Sequence, residues 1–141
     1  MNPFVNPKKR SISLPSGCKD LADVLRLPAG RTGDPVLIFI REMLLRAEDV
    51  EATEILIPAP MIHDGECIIT QRITGTFYHV STIPAVFRSG VVAQLLRMAD
   101  LPQGRFPAQG LVTLQLKRRQ LRCKIQIESG EADCVLTPFK E

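Results

Sequence analysis

Five cations fall close together near the C-terminus: Lys117, Arg118, Arg119, Arg122 and Lys124. Three form a run suited to a hairpin turn, and two occupy alternate, outward positions of the strand predicted to follow it. Such a cluster can hold phosphate groups, nucleic acid or an acidic protein surface. A solvated hairpin tip that keeps the protein in solution has the same composition, so both readings stay open. No Phe, Tyr or Trp is interleaved with these charges, which disfavours a platform for stacking single-stranded bases.

Other chemistries find less support. A phosphate-cradling loop needs glycines for close backbone approach, then a Lys and a hydroxyl, as in GxxxxGK[ST]. The sequence contains no Gly-Lys pair. Gly30 to Gly33 lacks both the dinucleotide-binding spacing and a preceding strand, and reads as a linker. His63 and His79 are the only histidines, read as an ordinary loop residue and an ordinary strand residue. Asp64 and Glu66 fit a polar hairpin turn as well as a carboxylate pair. Cys18, Cys67, Cys123 and Cys134 form no CxxC pair and have no interleaved histidines, which favours reduced, mostly buried thiols over a metal or redox site. No catalytic residue, metal site or cofactor is assigned.

The elements that must position the cationic cluster come from periodicity. A hydrophobic share of 45% and a charged share of 23% are those of an ordinary globular chain, and the net charge of +3 is too mild to announce a nucleic-acid binder. Residues 1–33 read as a flexible N-terminal segment carrying a short helix over Lys19 to Leu27, and residues 34–141 as one folded domain. Asp34-Pro35 supplies a helix cap and first-turn proline, opening a helix that runs to about Glu48. Val36, Leu37, Ile40, Met43, Leu44 and Ala47 share its apolar face. Ile38 and Leu45 form a second apolar stripe on the polar side, covered either by the N-terminal segment or by a partner protein. Strands are predicted at Glu54 to Ile57, Glu66 to Ile73 and Thr76 to Val80, with a turn at Thr74-Gly75. A second helix from Pro84 to Asp100 turns Phe87, Val91, Leu95 and Met98 inward. Alternating strands follow around Val112 to Leu116, Leu121 to Ile127 and Val135 to Thr137. The fold class expected is α+β, a mainly antiparallel sheet with two principal helices. No apolar run approaches the roughly 18 residues of a spanning helix, and Met1 to Arg10 lacks the apolar core of a secretory leader, so the chain is expected to be cytoplasmic.

With that order laid out, residues 34–141 resemble the second N-terminal domain of the type II secretion and type IV pilus assembly ATPases. Ala52-Thr53-Glu54-Ile55-Leu56-Ile57-Pro58 is similar to that family's A-S-D-I-H-I-E-P strand. Gln71-Arg72-Ile73-Thr74-Gly75-Thr76-Phe77-Tyr78-His79-Val80 is similar to its Y-R-I-D-G-V-L-H-E-V hairpin, and Arg105-Phe106-Pro107-Ala108-Gln109-Gly110 to R-L-P-Q-D-G. Leu56 stands where the family has His, Thr74 where it has Asp, and Leu111 where an Arg follows the glycine. In the family a Walker ATPase domain follows, and some arginines of the N-terminal domain engage nucleotide or a neighbouring subunit. By resemblance, Arg72 and Arg105 keep such positions.

The resemblance implies a non-catalytic protein-interaction or regulatory module, whose partner is a secretion or pilus motor component, a membrane platform or another copy of itself. Two alternatives are a basic regulator binding nucleic acid or a nucleotide through the Lys117–Lys124 hairpin, and an excised piece of a full secretion ATPase. Nucleic acid is the less favoured partner. Because nothing in the sequence supplies a phosphate cradle, the purified chain is expected to hydrolyse neither ATP nor GTP. Phosphate release above a buffer control, persisting through repurification, would overturn that expectation.

Overall fold

Asp34 caps the first long helix in the manner its residue type favours: its Oδ1 accepts the Val36 N–H at 2.9 Å, and Pro35 occupies the first helical position. Helix α1, Pro35–Asp49, ends with Glu51 at a φ of 56°. There the Ala52 N–H donates to the Ala47 carbonyl and the Glu51 N–H to the Glu48 carbonyl, the paired bonds of a Schellman cap. The computed structural model describes residues 21–26, 34–60 and 65–139. Cys18, His63, Asp64, the glycine stretch 30–33 and, apart from Leu21–Arg26, the rest of the segment expected to be flexible, 1–33, lie outside the described residues.

Six strands follow in a single antiparallel sheet: β1 Glu54–Ile57, β2 Glu66–Ile73, β3 Thr76–Pro84, β4 Ala108–Gln115, β5 Gln120–Ile127 and β6 Cys134–Pro138. Their spatial order is β3-β2-β1-β6-β5-β4. Helix α2, Arg88–Met98, enters through a short 3₁₀ turn at Ala85–Phe87 and closes in a second Schellman cap around Asp100. The fold is therefore α+β, with a mainly antiparallel sheet and two principal helices. No helix among the described residues is long and apolar enough to cross a membrane.

The sheet buries one face. Ile55 and Ile57 of β1 align with Leu136 and Cys134 of β6, which align with Ile125 and Ile127 of β5, and all six are buried. Cys67, Ile69 and Ile83 extend this layer on one side and Val112 and Leu114 on the other. Gly110 belongs to the same layer, and its missing side chain leaves room for Leu101; a Cβ there would lie 2.9 Å from Leu101 Cδ1. The β2–β3 hairpin turns on Thr74 and Gly75, both at positive φ, the requirement of a two-residue type I′ turn. Thr74 is β-branched, so its φ of 48° is a strained position that Gly or Asn would hold more easily.

Two faces differ from expectation. On α1 the buried stripe is Phe39, Ile40, Met43, Leu44 and Ala47, whereas Leu37 is 38% exposed. On the helical wheel Phe39 and Leu37 lie on opposite flanks of the stripe that holds Met43, Val36, Ala47 and Ile40, so either flank fits the spacing; only the neighbouring elements choose between them. One such neighbour is a 3₁₀ helix, Leu21–Arg26, which packs against α1 and β3 with Leu21 and Val24 fully buried. Ile38 and Leu45 are half-buried against the core. On α2 the buried residues are Arg88, Val91, Val92, Leu95 and Leu96, with Phe87 and Met98 only half-buried. The helix is rotated relative to the expected stripe, and Arg88 turns inward with it.

Arg88 is 5% exposed. Its Nε donates to the Pro58 carbonyl at 2.6 Å and its Nη2 to the Ala132 carbonyl at 2.8 Å, joining the start of α2 to the segment after β1 and the turn before β6. Charge-assisted bonds of this kind offset the desolvation of a buried guanidinium.

The α1 stripe gives a direct test. Phe39→Ala is expected to destabilise the protein by about 3–5 kcal/mol in urea unfolding, and Leu37→Ala by less than about 1 kcal/mol. Comparable losses at the two positions would place the buried stripe elsewhere.

Candidate interaction surface

Alternation along β5 divides the cationic cluster between the two faces of the sheet. Leu121 and Cys123 point to the buried side, so Arg122 and Lys124 take the opposite, open face. Arg119 precedes Leu121 by two residues and shares its side. Its guanidinium engages both carboxylate oxygens of Glu48, in the last turn of α1. A cation there also complements the negative end of the α1 dipole. Arg119 thus clamps the hairpin to the helix, and the five cations expected together separate. Lys117 and Arg118 lie exposed in the turn, Arg122 and Lys124 lie on the open face, and Arg119 is held inward.

The open face has a continuous register. One row runs Leu111, Lys124, Thr137 on β4, β5 and β6, and Glu54, Arg72, Phe77 on β1, β2 and β3. The next row runs Gln109, Gln126, Val135, Leu56, Thr70 and His79. Leu111, Ile68 and Phe77 are 39%, 48% and 45% exposed on this face. Arg72 lies three strand spacings from Lys124, about 14 Å, with its guanidinium 5.4 Å from the centre of the Phe77 ring. Arg105 belongs to neither group; it is exposed in the loop before β4, at the far end of that strand from Lys117. His79 shares its strand face with Thr82, their Nε2 and Oγ1 atoms 2.7 Å apart.

A pocket of about 360 Å³ lies on the other side of the hairpin, between the C-terminal end of α1 and the ends of β5 and β6. Leu44, Leu121 and Cys123 contribute apolar lining, and the Glu48–Arg119 pair and Phe139 border it. Burial, aided by the nearby Glu48 carboxylate, pushes the Cys123 thiol up to about 12, so it remains protonated and unreactive at neutral pH. Burial likewise pushes Cys134 up to about 12 and raises Cys67, in both cases against the opposing charge of Arg88. On α1, burial holds the Glu42 carboxyl above its usual range despite Arg46 and Arg41. Among the described residues no three His, Cys, Asp or Glu side chains gather to hold a metal ion.

Two features escaped the sequence. Arg88 is an arginine at a helix start, indistinguishable by type from a solvated one, and its carbonyl partners lie 30 and 44 residues away. The Arg119 clamp depends on Glu48, 71 residues distant. Only the parity of Arg119 relative to Leu121 carried a local signal.

The clamp is testable by a double-mutant cycle of Arg119→Ala and Glu48→Ala. A partly exposed forked pair is expected to show about 0.5–1 kcal/mol of coupling in chemical denaturation, shrinking at high salt. The same cycle with Arg118→Ala is expected to show none; equal coupling at both arginines would mean a diffuse field and no specific pair.

No protein-family model matches the chain and no curated protein sequence is significantly similar to it, so the residues of the open face and hairpin carry the functional argument.

Proposed function

We propose that this protein is a non-catalytic, cytoplasmic protein-interaction module that binds its partner through the β4–β5 hairpin and the open face of the sheet. One observation carries this reading: exposed apolar side chains and cations share that face. Leu111 aligns with Lys124, Arg72 lies over Phe77, and the exposed Lys117 and Arg118 adjoin them. Mixed apolar and cationic surface of this kind suits a protein contact with an acidic rim. Glu54 and Glu66 dilute the positive potential across the same face, and Phe77 is its one aromatic strand residue among those described, at the edge remote from the hairpin. These features favour a protein over nucleic acid.

The resemblance of residues 34–141 to the N-terminal domain of secretion and pilus ATPases supports the same reading. It suggests a motor component or its membrane platform as the partner class.

Reversal of Lys117, Arg118 and Arg122 to Glu, with Arg119 retained, is expected to leave the melting temperature nearly unchanged. Capture of the partner by the immobilised protein is expected to fall. In parallel, labelled single-stranded DNA, RNA and ATP are titrated at two salt concentrations. Tight binding of a nucleic acid or nucleotide that weakens steeply with salt would replace the interaction module with a phosphate-binding regulator.

A further inference from the structure

The two edges of the sheet are built differently. At β3, the register slips between Ile69 and Thr70 of its partner β2, the strand ends in Pro84, and the 3₁₀ helix Leu21–Arg26 packs against it. Bulges, prolines and covering elements are the usual protections of an edge. Among the described residues β4 has neither bulge nor proline, and α2, which packs against it, does so from the buried side of the sheet. The eight residues of β4, Ala108–Gln115, include no charge, and they pair with β5 without a register shift.

The hydrogen-bonding phase shows which backbone groups this edge presents. The Leu116 N–H donates to the Arg119 carbonyl at 2.8 Å, so even-numbered residues of β4 bond to β5 in the alternating antiparallel pattern. On the other side of β5, the Phe139 N–H donates to the Arg122 carbonyl, which fixes the same phase independently. The N–H and C=O groups of Gln109, Leu111, Thr113 and Gln115 therefore point outward, and their side chains line the open face. They form an open strand template.

Charge selects the occupant. Arg105 stands before one end of β4 and Lys117 and Arg118 after the other, all exposed and without an ion pair among the described residues. Antiparallel pairing of two β4 strands from two copies would bring Arg105 of each toward Lys117 and Arg118 of the other, and parallel pairing would stack identical cations. Like charges facing each other oppose both arrangements. The chain's own N-terminal stretch is basic at Lys8, Lys9 and Arg10, and is disfavoured for the same reason.

We infer that β4 accepts an extended segment of a partner protein as a seventh strand, and that this segment is acidic at both ends with β-forming residues between. Main-chain bonds to the four outward residues would supply affinity, while carboxylates at Lys117, Arg118 and Arg105 would fix position. This inference rests on the interaction-module reading and specifies where and how the partner docks.

The probe is a synthetic peptide alternating Val and Thr with paired Glu at each end, followed by fluorescence anisotropy against the full chain. Thr113→Pro removes an outward N–H without breaking a β4–β5 bond, so it is expected to fold normally and to weaken binding by at least about tenfold. Lys117→Glu with Arg118→Glu is expected to weaken it similarly, as is replacement of the peptide's Glu by Lys. The peptide is expected to slow amide hydrogen exchange at Leu111 and Thr113 in the unaltered protein, a readout that stands should Thr113→Pro fail to fold. Failure of the acidic peptide to bind, equal binding to a folded Thr113→Pro variant, or protection confined to other strands would each overturn strand addition. If the hairpin reversals still abolish partner capture in that case, the interaction-module reading survives and only this docking mode falls. A dimer in sedimentation that Thr113→Pro dissolves would assign the edge to a second copy.

Discussion

Single-sided burial of the sheet is the constraint on which the rest of the molecule depends. The alternate residues of all six strands that face the helices supply half of the buried apolar core, so two-residue periodicity decides where every other strand side chain must go. A shift of one residue along β5 would bury Arg122 and Lys124 and expose Leu121, Cys123, Ile125 and Ile127. The burial of those four apolar groups therefore holds the two cations on the open face. Electrostatics at the hairpin is in this sense a by-product of hydrophobic register: the same parity that displays Arg122 sends Arg119 toward α1, where Glu48 receives it.

A second constraint joins the halves of the chain. Between β1 and β5 the sheet inserts β6, so the first and last of the six strands meet at its centre. Arg88 lies where this closure has to be held, bonded to one carbonyl beyond β1 and another in the turn before β6. A leucine could fill similar space but would leave both carbonyls without that donor, and an unsatisfied buried carbonyl is costly. The guanidinium is well suited because its planar fork donates in two directions at once. Its presence beside Cys67 and Cys134 does not activate either thiol, since burial outweighs its attraction for the thiolate.

What the sequence disclosed and what it withheld divide along the range of the interactions. Asp34-Pro35, Thr74-Gly75 and the alternations of β4 and β5 are local, and each produced the cap, turn or strand expected of it. Phe39 and Leu37 could not be separated by spacing, because both flank the same stripe and the elements packed around α1 come from elsewhere in the chain. Arg88 and Arg119 were beyond local inference for the same reason, as was the placement of β6. For the candidate surface, the sequence yielded the residues but joined them too simply. Lys117 and Arg118 lie in the turn and Arg122 and Lys124 on the open face beside it, whereas Arg119 is tied inward; Arg72 and Arg105, singled out only by the family resemblance, lie across the sheet and at the other end of β4.

The place of Arg105, at the opposite end of β4 from Lys117 and Arg118, alters what the cations mean. Gathered at one tip, they would form a point of positive potential suited to any anion. Distributed at the two ends of an uncharged strand, they instead frame roughly 25 Å of exposed backbone hydrogen-bonding groups. Such an edge carries an aggregation hazard, and charges within the strand are the common protection. Here the charges stand just outside it, where they oppose like copies of the chain yet leave the central N–H and C=O groups accessible. An arrangement that repels itself and admits an oppositely charged strand separates specificity from affinity: flanking charge rejects the wrong partner, and the ladder of backbone bonds holds the right one. Among the described residues β3 is the less regular edge, because its bulge and its terminal proline interrupt the template, so extension of the sheet is favoured on the β4 side.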